Sequence, residues 1–96
     1  MSDVETFKEI KELLITQKHS PEDIAQVEKA YRFAKKLHDG QFRASGEPYI
    51  IHPVEVAKIL ASLEVDTHTL IAAFLHDVLL HFSHRQKNNF PQVQNC

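Results

Sequence analysis

Both glycines of the chain, Gly40 and Gly46, fall inside one stretch, "GQFRASGEPYIIH", residues 40–52. With one proline and no helical recurrence of apolar residues, this stretch reads as an ordered loop rather than a linker. Residues 1–39 and 53–80, on either side of it, are poor in breakers and repeat their apolar residues at helical spacing. The fold that this permits is all-α, built from about four helices around a single loop.

Phe7, Ile10, Leu13 and Leu14 recur at helical spacing in a charged segment and predict an amphipathic helix over about residues 3 to 16. "HSPEDI" then offers Ser20 as N-cap, Pro21 at the first helical position and Asp23 three residues after the cap. The series Ile24, Val27, Ala30, Tyr31, Ala34, Leu37 comes next and stops at Gly40. Pro53 is expected to open a third helix with Val54, Ala57, Leu60 and Leu63 on one face, and His52 just before it. "EVDTHT" interrupts, and Asp66 or Thr67 caps a fourth helix carrying Leu70, Ala73, Phe74 and Asp77. Beyond Leu80 the apolar stripe fades. Residues 1–84 therefore read as one partial domain and residues 85–96 as a polar, frayed tail.

Size and charge narrow the possible functions. A domain of 96 residues buries only about 60 to 65% of the surface that its unfolded chain exposes, so its stability is modest. Eleven basic against thirteen acidic residues leave a net charge of −2, without the electrostatic footprint of a nucleic-acid or anionic-membrane binder. The single cysteine, Cys96, allows neither a disulfide framework nor a thiolate metal cage, which fits a reducing cytoplasm. No apolar run approaches a membrane span, and the first fourteen residues lack a signal-peptide core. The expectation is a soluble, cytoplasmic protein.

The histidines carry the chemistry. If the third and fourth helices form an antiparallel hairpin, the rise of about 1.5 Å per residue brings His52 and His76 side by side. Asp77 is rotated about 100° from His76 and still aims at an ion lying between the two directions. Two imidazoles and a carboxylate suit Mn, Fe, Zn or Ni better than Mg or Ca. A plainer alternative stays open: His-Asp dipeptides arise by chance, and a histidine beside a helix start also serves as a cap. Another possible set is Asp77, His81 and His84, which share one face if the helix continues and would suit Zn or Ni. At a fraying end those histidines are more simply solvent-exposed. His19 and His68 read as surface or cap residues, and His38 as a polar residue of the helix's last turn.

The segments "HDGQFR", "SGEPYIIHP" and "AAFLHDV", in that order and at those separations within residues 30–79, resemble the amino-terminal hydrolase domain of the RelA/SpoT family. These HD-type enzymes cleave the 3′-pyrophosphate from the alarmones ppGpp and pppGpp. The resemblance implies an all-α HD domain, a Mn ion held by His52, His76 and Asp77, and guanosine tetra- or pentaphosphate as ligand. It further implies that Arg43 contacts the guanine nucleotide, with Ser45 and the "GEPY" turn shaping the pocket.

The resemblance breaks after Leu79. The family continues the His-Asp pair as His-Asp-Val-x-Glu-Asp-Thr, whereas this chain reads "HDVLLHF", with Leu80, His81 and Phe82 in place of Glu, Asp and Thr. Those carboxylates orient water and move protons, and removing such groups typically costs about 10² to 10⁴ in rate. The fourth metal ligand of the family, an aspartate on a later helix, has no counterpart. Ala44 stands where many members carry lysine. The expectation is a half-site in a shortened, divergent domain, with no intact catalytic carboxylates, weak metal binding and hydrolysis absent or slow.

A non-catalytic alternative is an assembly or nucleotide-binding module. Missing later helices would leave the faces of Leu60, Leu63, Leu70, Phe74 and Leu79 uncovered, favouring a homo-oligomer. Lys29, Arg32, Lys35 and Lys36 read as the solvated face of the second helix, Tyr31 and Phe33 as core or rim, and Tyr49 as a brace for the pocket loop.

Overall fold

The structure, a computed structural model, describes residues 2–89, the side chains of residues 77 and 80–89 excepted. Three of its helices start where a side chain captures the orphan amides of the first turn. Ser2 Oγ accepts from the Glu5 amide at 3.2 Å and opens α1 (Asp3–Thr16). Ser20 Oγ accepts from the Asp23 amide at 3.1 Å, and Pro21 leads α2 (Pro21–Leu37). Asp66 Oδ1 accepts from both the amide and the hydroxyl of Thr69, at 2.8 and 2.6 Å, and opens α4 (Thr67–Asn89). Those two bonds hold the Asp66 carboxyl below the usual aspartate range.

The third helix, α3 (Ile51–Ser62), starts differently. Its N-cap Ile50 has no side-chain hydrogen bond; instead the amides of Ile51 and His52 each bond three residues back, to Pro48 and Tyr49, at 3.2 Å. The helix thus begins two residues before Pro53, and His52 lies inside its first turn rather than ahead of it. Pro53 is tolerated there because an amide at that position has no intrahelical partner to lose.

Packing is interleaved. α1 rests on α3, α2 rests on α4, α3 and α4 form the antiparallel hairpin, and α1 and α2, with their backbones set further apart, meet through side chains. Phe7, Ile10 and Leu14 meet Val54, Ala57 and Ala61 in the core, and Val27 and Ala34 share it with Leu70, Phe74 and Val78. At the centre the Phe7 ring stacks on Tyr31 with centroids 4.2 Å apart, and Phe74 closes edge-on at 6.3 Å from Phe7.

This packing corrects two expectations. Leu70 and Phe74 are fully buried among the other helices and Leu60 is partly buried, so of the uncovered face only Leu63 and Leu79, at 68% and 63% exposure, stay in solvent. The fourth helix also runs to Asn89, carrying regular backbone five residues into the segment read as tail; residues 90–96 lie outside the described ones. Tyr31 is core, whereas Phe33 and Leu37 are exposed. Among the described residues no helix is long and apolar enough to cross a membrane.

Candidate active site

The loop between α2 and α3 folds as a miniature hairpin. Its neck is set by the Tyr49 amide bonding to the Gln41 carbonyl at 2.8 Å and by an antiparallel bridge between Phe42 and Pro48. The Arg43 amide bonds to the Glu47 carbonyl, and the Gly46 amide returns to the Arg43 carbonyl, both at 2.8 Å. Gly46 takes φ +96°, a conformation that L side chains rarely adopt, and so closes the turn. Arg43 and Ser45 consequently share one solvent-exposed tip.

Under that hairpin sits His38, the C-cap of α2, with 3% of its surface exposed. Its ring lies 4.5 Å from that of Tyr49, and its Nδ1 is 3.3 Å from Gln41 Oε1. Sequence reasoning placed His38 in a helix end but missed its burial. The signal was the spacing itself, since a turn that returns Tyr49 to Gln41 must also return it to the residue capping α2. Tyr49 braces the loop as expected, and its carbonyl accepts from the His52 amide, tying the hairpin directly to α3.

His52 is half-buried in the first turn of α3, and His76 is exposed on α4. His52 lies ten residues before Ser62 and His76 nine beyond Thr67, so at about 1.5 Å per residue both stand at nearly the same height on the packed α3–α4 pair. Among the described residues neither imidazole has a hydrogen-bond or ion-pair partner. Imidazole nitrogens are the ligand type that borderline divalent ions take. The side chain of Asp77, the third expected ligand, lies outside the described residues, as do those of Leu80, His81 and His84. Among the described residues no three His, Cys, Asp or Glu side chains converge.

Comparison with known proteins bears on the same residues. A family model described as HD domain matches residues 30–93, a span holding the hairpin, His52, His76 and Asp77. The bifunctional (p)ppGpp synthase/hydrolase SpoT of Escherichia coli K12 is 50% identical over 74 residues, which is 76% of this chain and 10% of that protein. The guanosine-3′,5′-bis(diphosphate) 3′-pyrophosphohydrolase of Aquifex aeolicus is 52% identical over 61 residues, 64% of this chain and 9% of that protein. A GTP pyrophosphokinase of Myxococcus xanthus is 43% identical over 65 residues, 68% of this chain and 9% of that protein. The chain spans about a tenth of the length of these curated relatives. On its four helices, its His-Asp pair and these matches, the chain belongs to the HD-domain family and is homologous to the hydrolase region of the RelA/SpoT (p)ppGpp enzymes.

Proposed function

We propose that the chain is a cytoplasmic (p)ppGpp-binding HD module that keeps the nucleotide-reading turn and part of the metal site of a 3′-pyrophosphohydrolase, and hydrolyses slowly or not at all. The observation that carries this reading is the direct linkage from turn to helix. The hairpin bearing Arg43 and Ser45 is tied at Tyr49, whose carbonyl accepts from the His52 amide, which supports a nucleotide contact and a metal ligand in one neighbourhood.

His52, His76 and Asp77 would hold the metal, and Mn is the ion proposed for this mixed nitrogen and oxygen set. When bound, such an ion lowers the pKa of its water and polarises a phosphoryl oxygen. Arg43 binds and orients the nucleotide, its guanidinium being suited to bidentate phosphate contact or to stacking on a base. Ser45 adds a hydroxyl at the same tip. Leu80 has no group to take or give a proton, and His81 stands where the family places an aspartate, so the proton-transfer part of the reaction is what this chain lacks.

The test measures Mn content and pyrophosphate release from ppGpp on one purified sample, beside a Leu80→Glu, His81→Asp variant. The natural chain is expected to take up Mn weakly and to turn over at least about 10²-fold more slowly than an intact hydrolase. Robust release by the natural chain overturns the reading. Restored release in the double variant assigns the loss to the two carboxylates; an inert double variant shows that these two substitutions alone do not account for it.

An assembly role is a second reading, favoured by the outward stripe of Ile59 and Leu63 on α3, exposed by 61% and 68%. A sedimentation coefficient that rises with concentration supports a homo-oligomer, and a monomer at high concentration rejects it.

A further inference from the structure

We propose that the crevice between α1 and α2 is a second anion-binding site, one that takes a phosphate-bearing organic molecule of nucleotide size, separate from the Arg43 hairpin. Because α1 seats on α3 and α2 on α4, the seam between α1 and α2 stays open as a cavity of about 490 Å³. That volume falls within the range of small-molecule sites, about 300 to 1,000 Å³.

Its charge is one-sided. Lys8 and Lys11 line it from α1, and Arg32, Lys35 and Lys36 from α2. Against these five cations stand two carboxylates. Glu28 pairs with Lys11 at 3.1 Å and with Arg32 at 2.7 Å, and Asp3 pairs with Lys35 at 3.0 Å. Lys8 and Lys36 have no carboxylate partner among the described residues. In a protein of net charge −2 this is a local excess of positive charge concentrated on one groove.

The two inter-helix bridges also decide the shape of the occupant. Lys11–Glu28 spans the seam at one end of the cationic stretch, and Asp3 with Lys35 and the Tyr31 hydroxyl spans it at the other. Asp3 and Lys11 are eight residues apart on α1, so the space between the bridges is roughly 12 Å long. Beyond Lys11–Glu28 the seam continues as a second hollow lined by Ile15, His19 and Ile24, which lacks the cations, so the charged stretch between the bridges matches a compact anionic molecule rather than a long helix. The floor is apolar, formed by Val4 and the edges of Phe7 and Tyr31. A cationic rim over an apolar floor suits a ring system carrying phosphates, with the charged oxygens on Lys8, Arg32 and Lys36.

The test is an amide-resolved NMR titration of the whole chain with adenosine diphosphate, inorganic pyrophosphate, adenosine and sulfate. Adenosine diphosphate and pyrophosphate are expected to move amides in residues 4–11 and 28–36, and adenosine to move them little. Lys8→Glu with Lys36→Glu is expected to weaken binding at least tenfold, Lys8→Gln with Lys36→Gln less, and Arg43→Ala not at all. Unperturbed helical shifts elsewhere show that each variant is folded. Shifts confined to residues 41–49, equal response to sulfate and to adenosine diphosphate, or undiminished binding by the glutamate variant each overturn the proposal. Since Arg43→Ala separates the two sites, failure here leaves the hairpin reading untouched.

Discussion

Replacing Tyr31 by phenylalanine removes one hydroxyl and leaves its ring in place, stacked 4.2 Å from Phe7 and 5.9 Å from Phe74. That hydroxyl donates to Asp3 Oδ2 at 2.5 Å, and Lys35 Nζ lies 3.0 Å from the same oxygen. The Asp3 side chain is only 15% exposed, so water replaces the lost donor poorly. A hydrogen bond to a charged group contributes about 1.5 to 3 kcal/mol, and because Lys35 remains, the lower part of that range applies, about 1.5 to 2 kcal/mol. For a chain of this size that lowers the urea midpoint by about 1 M and the Tm by roughly 6 to 16 °C. The loss also depends on pH. Burial pushes the Asp3 carboxyl up, but the hydrogen bonds from Tyr31 and Lys35 and the charge of Lys35 outweigh it and hold the group below its usual value. A carboxyl depressed in the folded state stabilises fully above its unfolded pKa, near 4, and loses that stabilisation as pH falls through the folded pKa. Urea unfolding at pH 7 and near pH 3 should therefore show a large difference between native and variant that shrinks in acid. Burial and Asp3 raise the phenol pKa, so Tyr31 stays a donor throughout this range. A loss below about 0.5 kcal/mol at pH 7, or one that is constant with pH, refutes the reasoning.

Ser20→Ala removes the cap on the Asp23 amide and should cost about 1 kcal/mol, read as a fall in the denaturation midpoint. Gly46→Ala forces a side chain onto φ +96° although nothing crowds it, costing the hairpin about 1 to 2 kcal/mol; faster hydrogen exchange at the Arg43 and Tyr49 amides with an unchanged core checks this. His76→Ala should reduce retained Mn at least tenfold while leaving the helical circular dichroism intact, because the imidazole is exposed and outside the core.

The boundaries of α1 and the start of α2 were legible because caps and apolar spacing agreed: Ser20, Pro21 and Asp23 all mark the same residue as first helical. At α3 the strongest local signal, Pro53, misled by two residues. The helix is started there by backbone bonds to Pro48 and Tyr49, which leave no side-chain signature. Leu70 and Phe74 looked uncovered because the spacing of a single helix says which face is apolar but not that α2 would cover it. Arg43 and Ser45 could be assigned to one loop, but not the pairing that puts both on the tip of a hairpin, nor the burial of His38 beneath it. The level of His52 with His76 follows from counting residues up and down a hairpin, so the sequence already carried it.

The interleaved packing has a consequence for how the chain acquires its structure. Since α1 closes on α3 and α2 on α4, the surfaces that α1 and α2 bury most lie on helices of the second half of the chain, while α1 and α2 meet each other through side chains such as Phe7 and Tyr31. As the chain leaves the ribosome, Phe7, Ile10, Leu14, Val27 and Ala34 emerge before the surfaces that cover them. The covering contacts of α1 on α3 and of α2 on α4 form only once the later helices are present, although most of the chain's contacts are local, the pattern of a helical bundle that folds quickly when complete. Until then the nascent chain presents two sticky amphipathic faces, the condition under which chaperone capture or misassociation competes with the native state.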